Sequence, residues 1–147
     1  MEANENIIQL ANKQLANWNV LYTKLHNYHW YVKGSDFFTL HEKFEEFYTE
    51  AAGYIDEIAE RILTIKGKPL ATLKEYLEAS TIPEATGSEN AKQMVSSLAG
   101  DFRTLISETS ELIEAAEDTA DVPTADMFIG IRTSLEQHTW MLTAYLG

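Results

Sequence analysis

From Leu15 to Ile65 the apolar residues recur at spacings of three and four, with a single break at Lys33–Asp36. Leu15, Trp18, Tyr22, Leu25, His29 and Val32 form one stripe; Leu40, Phe44, Phe47, Ala51, Tyr54, Ile58, Ile62 and Ile65 form the next. That period is helical, and stripes this long each bury one face of a helix against its neighbours. Met94, Val95, Leu98, Phe102, Leu105, Ile106, Leu112 and Ile113 mark a further helix over about Glu89–Thr119. A last helix is expected from near Thr124 to about Leu146. Only three prolines occur in 147 residues, so such helices run uninterrupted. The expectation is one all-α domain over residues 1–147, a four-helix bundle.

The breaks set the order of packing. Lys33-Gly34-Ser35-Asp36 reads as a turn between a first helix over about Asn4–Val32 and a second over about Phe37–Lys66. Gly34 suits the end of the one, and Ser35 or Asp36 the N-cap of the other. So short a turn makes the two antiparallel neighbours. Gly67-Lys68-Pro69 stops the second helix, and Thr72-Leu73-Lys74-Glu75 is a capping-box pattern opening a short helix through about Ala79. The connection of roughly twenty residues that contains it is long enough to cross the bundle, which lets the next long helix run parallel to the second. That helix carries no histidine, and its acidic residues read as a solvated face.

Three of the four histidines, His26, His29 and His41, fall between Leu25 and Arg61, with Glu45, Asp56 and Glu60 in the same stretch. Imidazole and carboxylate together suit iron, manganese or zinc. On the second helix His41, Glu45, Asp56 and Glu60 share a sector of roughly 100°. At about 1.5 Å per residue, however, His41 and Glu60 stand about 28 Å apart. One copy cannot close a site with both ends. A second copy, antiparallel about a two-fold axis, can.

Stepping inward four residues at a time from each end pairs His41 with Glu60, then Glu45 with Asp56, then Thr49 with Ala52. Thr49 and Ala52, nearest the implied axis, are small enough for two backbones to approach. A single register therefore joins both half-sites twice, as an isologous contact requires. The alternative is a solvated acidic face with His41 incidental to it. Gly53, in mid-helix, costs about 1 kcal/mol relative to alanine, which a close helix approach would explain and so would drift. His29 lies across the turn from His41 and is a ligand candidate. His26 sits off the stripe and reads as peripheral. His138 has only Glu136 nearby in sequence, on the wrong face, and reads as structural.

Composition narrows the chemistry. There is no cysteine, which removes disulfides, thiolate metal sites and thiol nucleophiles and fits a cytoplasmic protein. The net charge of −12 opposes contact with nucleic acid and favours attraction of cations. The acidic start MEANENIIQL does not read as a secretory signal, and no apolar run is long enough to span a bilayer. Glu-x-x-His and HExxH motifs are absent, so a metal site of the usual intra-bundle kind has no ligands here.

Asn27-Tyr28-His29-Trp30, Phe37-Phe38-Thr39-Leu40-His41-Glu42-Lys43-Phe44, Asp56-Glu57-Ile58-Ala59-Glu60-Arg61 and His138-Thr139-Trp140-Met141 resemble the Dps family of mini-ferritins over nearly the whole chain. The resemblance implies a ferritin-like four-helix subunit, with the short extra helix in the crossover between the second and third long helices, assembled into a hollow homododecamer. It implies a ferroxidase that oxidises iron(II) with hydrogen peroxide in preference to dioxygen, stores ferric mineral and protects against oxidative stress. His29, His41 and Glu45 would come from one subunit and Asp56 and Glu60 from its partner, with His29, His41, Asp56 and Glu60 as the catalytic set; zinc is a competing occupant. Many members have aspartate where this chain has Glu45. Trp30 would serve as an electron relay beside the centre, Asp121 and Asp126 would line a cation pore, and Glu42 and Glu46 would face the cavity.

Two other classes compete with this reading: a non-enzymatic DNA-sheathing stress protein and a purely structural shell protein. Members that compact DNA often carry a lysine-rich N-terminal tail, whereas the few residues ahead of the first helix here include Glu2, with Glu5 just beyond, and no lysine. Contact with a polyanion needs cationic side chains to displace its counterions. The expected outcome of a gel-shift assay at physiological salt is no retarded DNA; a salt-sensitive shift would restore the sheathing reading.

Overall fold

The computed structural model describes residues 2–147, with side chains from Asn4 onward. Glu2, whose charge enters the argument on the N-terminal tail, has its side chain outside the described residues. Among the described residues five helices follow in order: α1 (Glu2–Tyr31), α2 (Phe37–Thr64), α3 (Leu73–Ala79), α4 (Ala91–Asp118) and α5 (Val122–Leu146). The four long ones form the expected bundle. Leu15, Leu21, Leu25, Phe44, Ile58, Ile62, Leu98, Phe102 and Leu105 are fully buried in a single core. Each contributes about 1.5–3 kcal/mol through the surface it removes from water.

Helix ends form where their chemistry dictates. Gly34 takes φ +108 at the α1–α2 corner, as a turn glycine there requires. At the end of α2 the left-handed residue is Lys66 (φ 72), not Gly67. Gly67 donates to the Ile62 carbonyl (2.8 Å), closing a Schellman-type end. A Cβ on Gly67 would come within 2.9 Å of Ile8 and Ile62, so its role is close packing rather than φ. Thr72 caps α3 by accepting from the Glu75 N–H, and Asn90 with Gln93 completes a capping box on α4. Asp121 caps α5.

The crossover lies along α1. Asn12 binds the Lys68 carbonyl and the Leu70 N–H; Asn17 accepts from Ser80 and Thr81. Further on, Lys24 donates to the Pro83 carbonyl (3.0 Å) and Tyr28 to Glu89 (2.7 Å). The connection thus travels from the start of α1 to its end, and α4 begins where α2 began. That makes α4 parallel to α2 and α5 antiparallel to it.

Glu111, Glu114, Glu117 and Asp118 of α4 are exposed, as a solvated face requires, but Asp101 and Glu108 depart from it. Asp101 is buried with its carboxylate 2.7 Å from the equally buried Lys24 ammonium. Burial pushes the Asp101 carboxyl up, and Lys24 opposes this. Glu108 accepts from Gln14, Asn17 and Thr81, joining α1, α4 and the crossover.

Between α2 and α5 run three polar rungs. The Tyr145 hydroxyl donates to Asp36 (2.6 Å), His138 Nε2 meets Glu50 Oε1 (3.0 Å), and Arg61 donates to Asp121 (3.1 Å) and Thr124 (2.9 Å). His138 therefore has its carboxylate partner on another helix, which its own sequence neighbourhood could not reveal. Burial pushes Glu50 up, but its hydrogen bond and charge interaction with His138 outweigh that and hold it below the usual range.

Glu89 gives the clearest pH signature. Burial raises its carboxyl, yet bonds from the Thr86 N–H and the Tyr28 hydroxyl bring it down to about 2. A carboxylate depressed in the folded state stabilises above its unfolded value, and that contribution disappears as pH falls through the folded one. Glu89→Gln is therefore expected to cost about 1–2 kcal/mol at pH 7, allowing for solvent screening, and nothing near pH 2. Thermal melts of both proteins between pH 7 and 2 check this; a constant gap across that range would contradict it.

Candidate metal centre

The α1–α2 corner brings His29 and His41 face to face. Their rings stack with centroids 3.7 Å apart and planes inclined by 11°. His29 Nδ1 lies 2.6 Å from the His41 carbonyl oxygen, and His41 Nδ1 lies 2.7 Å from that of His29. A carbonyl can only accept, so each Nδ1–H donates and each Nε2 keeps its lone pair. Metal-binding imidazoles are oriented in this way, by a second hydrogen bond that fixes the tautomer.

Helix geometry makes the exchange possible. His29 sits in the last turn of α1, five residues before the left-handed Gly34, and His41 in the second turn of α2, seven residues after it. Phe37, one turn before His41, stacks on its outer side (4.9 Å, 20°). Tyr48, two turns after His41, stands edge-on to His29 (5.3 Å, 87°). The pair is framed on both sides.

Glu45 joins the two histidines from the next turn of α2, its Oε1 3.8 Å from His29 Nε2. One ion at about 2.1 Å from each atom could span that gap. The two imidazoles cannot share an ion so easily. A bound metal lies in the plane of its imidazole, and two nearly parallel planes at this separation do not meet within bonding reach.

Asp56 and Glu60 are exposed further along α2, with Thr49, Ala52 and Gly53 on the same open side. Nothing among the described residues would meet a Cβ on Gly53. Among the described residues no three His, Asp or Glu side chains come close enough to enclose a metal ion. Within one chain His29, His41 and Glu45 thus form a cluster of two histidines and one carboxylate beside an exposed face of α2.

The remaining candidates fall as follows. His26 donates from Nδ1 to the Tyr22 carbonyl and stacks on Tyr48 (3.8 Å, 19°). Trp30 is 67 % exposed, its ring 5.2 Å from that of His26. Asp121 spends its carboxylate on Arg61 and on capping α5, whereas Asp126 is exposed and uncommitted. Glu42 and Glu46 are exposed. Sequence reasoning passed over Phe37 and Tyr48; their spacing from His41, four back and seven on, puts them on its face and was the available signal.

Comparisons with known proteins agree with this architecture. Residues 8–147 match the ferritin-like domain model. General stress protein 20U of Bacillus subtilis (strain 168) is 55% identical over 97% of this chain and 99% of its own. DNA protection during starvation protein 2 of Bacillus anthracis is 56% identical over 98% and 99%. Among solved structures, a Dps protein from Bacillus brevis superposes with a TM-score of 0.99 at 52% identity, covering 100% of this chain and 99% of that one. A Vibrio cholerae O1 protein, described as a member of the ferritin-like diiron-carboxylate superfamily, gives 0.96 at 35% identity, covering 99% and 92%.

Proposed function

Because this chain belongs to the Dps family of ferritin-like proteins, we propose that it is a ferroxidase whose centre is shared between two copies of the chain. The family supports iron storage and stress protection in general. The observation that carries the finer reading is the reciprocal His29–His41 bond, which engages both Nδ1 atoms and leaves both Nε2 atoms open beside Glu45.

In this reading a second copy lies antiparallel on the bare face of α2, with Thr49 and Ala52 at the axis. Asp56 and Glu60 of that copy complete the set begun by His29, His41 and Glu45. Iron(II) is the substrate. The neutral imidazoles and carboxylates bind it with coordination positions left open, and the parallel rings favour a pair of ions. Hydrogen peroxide accepts one electron from each of two iron(II) ions and, with two protons, leaves as two waters, so no hydroxyl radical is released. The protein's share is to hold the ions and supply charge; the redox chemistry belongs to the metal. Zinc fits the same donors and would compete.

The net charge of −12 supports cation attraction, and Asp126 is the free carboxylate of the candidate pore. Trp30, beside His26, stands where an electron relay to the surface would. Storage of ferric mineral would require a closed shell, a dodecamer in this family's pattern, in the cytoplasm.

Anaerobic loading with iron(II), then peroxide, tests the reading. The wild type is expected to give a soluble ferric species that sediments with the protein. His29→Ala and Asp56→Ala are each expected to slow peroxide-dependent oxidation at least tenfold, roughly the lower bound for losing a placed metal ligand, with the assembly intact. Wild-type rates in both variants would overturn the site.

A further inference from the structure

Asp36 occupies the N-cap position of α2, where an aspartate carboxylate ordinarily accepts from the helix's first free N–H groups. Here it makes no such bond. Its carboxylate is turned instead to the Tyr145 hydroxyl, 2.6 Å away, from a residue 109 positions later in the last turn of α5. The next residue is Phe37, which stacks on His41. Ahead of it lies Gly34, whose left-handed backbone makes the corner the most permissive point between the two histidines.

We infer that Tyr145 is a positioning residue for the metal half-site, holding the α1–α2 corner through Asp36 so that Phe37 fixes the ring of His41 against His29. The inference rests on the metal reading of that pair. Tyr145 touches neither histidine and acts only through the corner. A capping aspartate left to itself satisfies its own helix and tethers nothing. Diverted to α5, it couples the corner to the far side of the bundle, and the reciprocal imidazole bonds then form between two anchored segments. The Glu50–His138 rung meets α2 between the two groups of proposed ligands, away from the corner, and supplies the comparison.

The test uses the full chain as assembled and two readouts. Hydrogen–deuterium exchange follows peptides over residues 33–41, with residues 22–28 as the internal reference. Anaerobic cobalt(II) titration, read by ligand-field absorption, reports the half-site without turnover. Tyr145→Phe is expected to speed exchange over 33–41 and to raise the cobalt half-saturation, each by roughly three- to tenfold, the scale of one charge-assisted hydrogen bond partly exposed to water. Residues 22–28 stay unchanged. Asp36→Asn, which keeps an acceptor for the hydroxyl, gives smaller effects, and D36A/Y145F is no worse than its more severe single variant. His138→Gln lowers the thermal midpoint without moving the cobalt curve. Unchanged exchange over 33–41 in Tyr145→Phe would overturn the inference, as would faster exchange with an unmoved cobalt curve. A wild type that binds no cobalt would instead overturn the metal reading, and the positioning role with it.

Discussion

The exchange of hydrogen bonds between His29 and His41 is the contact on which the functional architecture depends. It consumes both Nδ1 protons on backbone carbonyls, so neither imidazole needs a carboxylate partner within the chain. It also ties the last turn of α1 to the second turn of α2 across a corner built on a left-handed glycine. One arrangement therefore sets the tautomer, the ring orientation and the angle at which two helices leave their turn. Phe37 and Tyr48 limit the freedom that remains.

Polar contacts elsewhere show how such a bundle acquires one topology rather than several. Apolar stripes alone would permit α2 and α4 to run either way. The ladder of Asn12, Asn17, Lys24 and Tyr28 along α1 leads the crossover the full length of the bundle, and Glu108 and Asp101 lock α4 to the same helix. Burying Lys24 with Asp101 contributes little net stability as an ion pair, but stranding either charge would cost about 3–5 kcal/mol. Misregistered packings carry that penalty. On the other side of α2 the rungs to α5 leave the face bearing Thr49, Ala52, Asp56 and Glu60 uncovered.

Much of this was legible in the chain itself because it is local. The stripes, the Gly34 corner and the Thr72 cap are written in spacings of three and four and in turn chemistry. His29 and His41 could be matched because only a short turn separates them. What escaped was what pairs distant positions. Glu50 with His138, Lys24 with Asp101 and Asp36 with Tyr145 leave no trace in periodicity, since a charged residue on a helix face reads alike whether water or another helix faces it. Asp101 and Glu108 of α4 were misread for that reason, while Glu111, Glu114, Glu117 and Asp118 do face water. At the end of α2 the stop was legible but its mechanism was not: Lys66 takes the left-handed conformation, and Gly67 is small because Ile8 and Ile62 press on it.

The central claim is that two copies of this chain complete one another's metal centre, and mixed assemblies test it most directly. A chain lacking His29 and His41 and a chain lacking Asp56 and Glu60 are each expected to be inactive alone. Co-assembled at random in equal amounts, half of the two-fold pairs contain one of each, and each such pair keeps one intact centre of two. Recovery of about a quarter of wild-type peroxide-dependent iron oxidation is expected. Mixed assemblies as inactive as their parents would show that the ligands belong to a single chain, and the shared centre would be wrong.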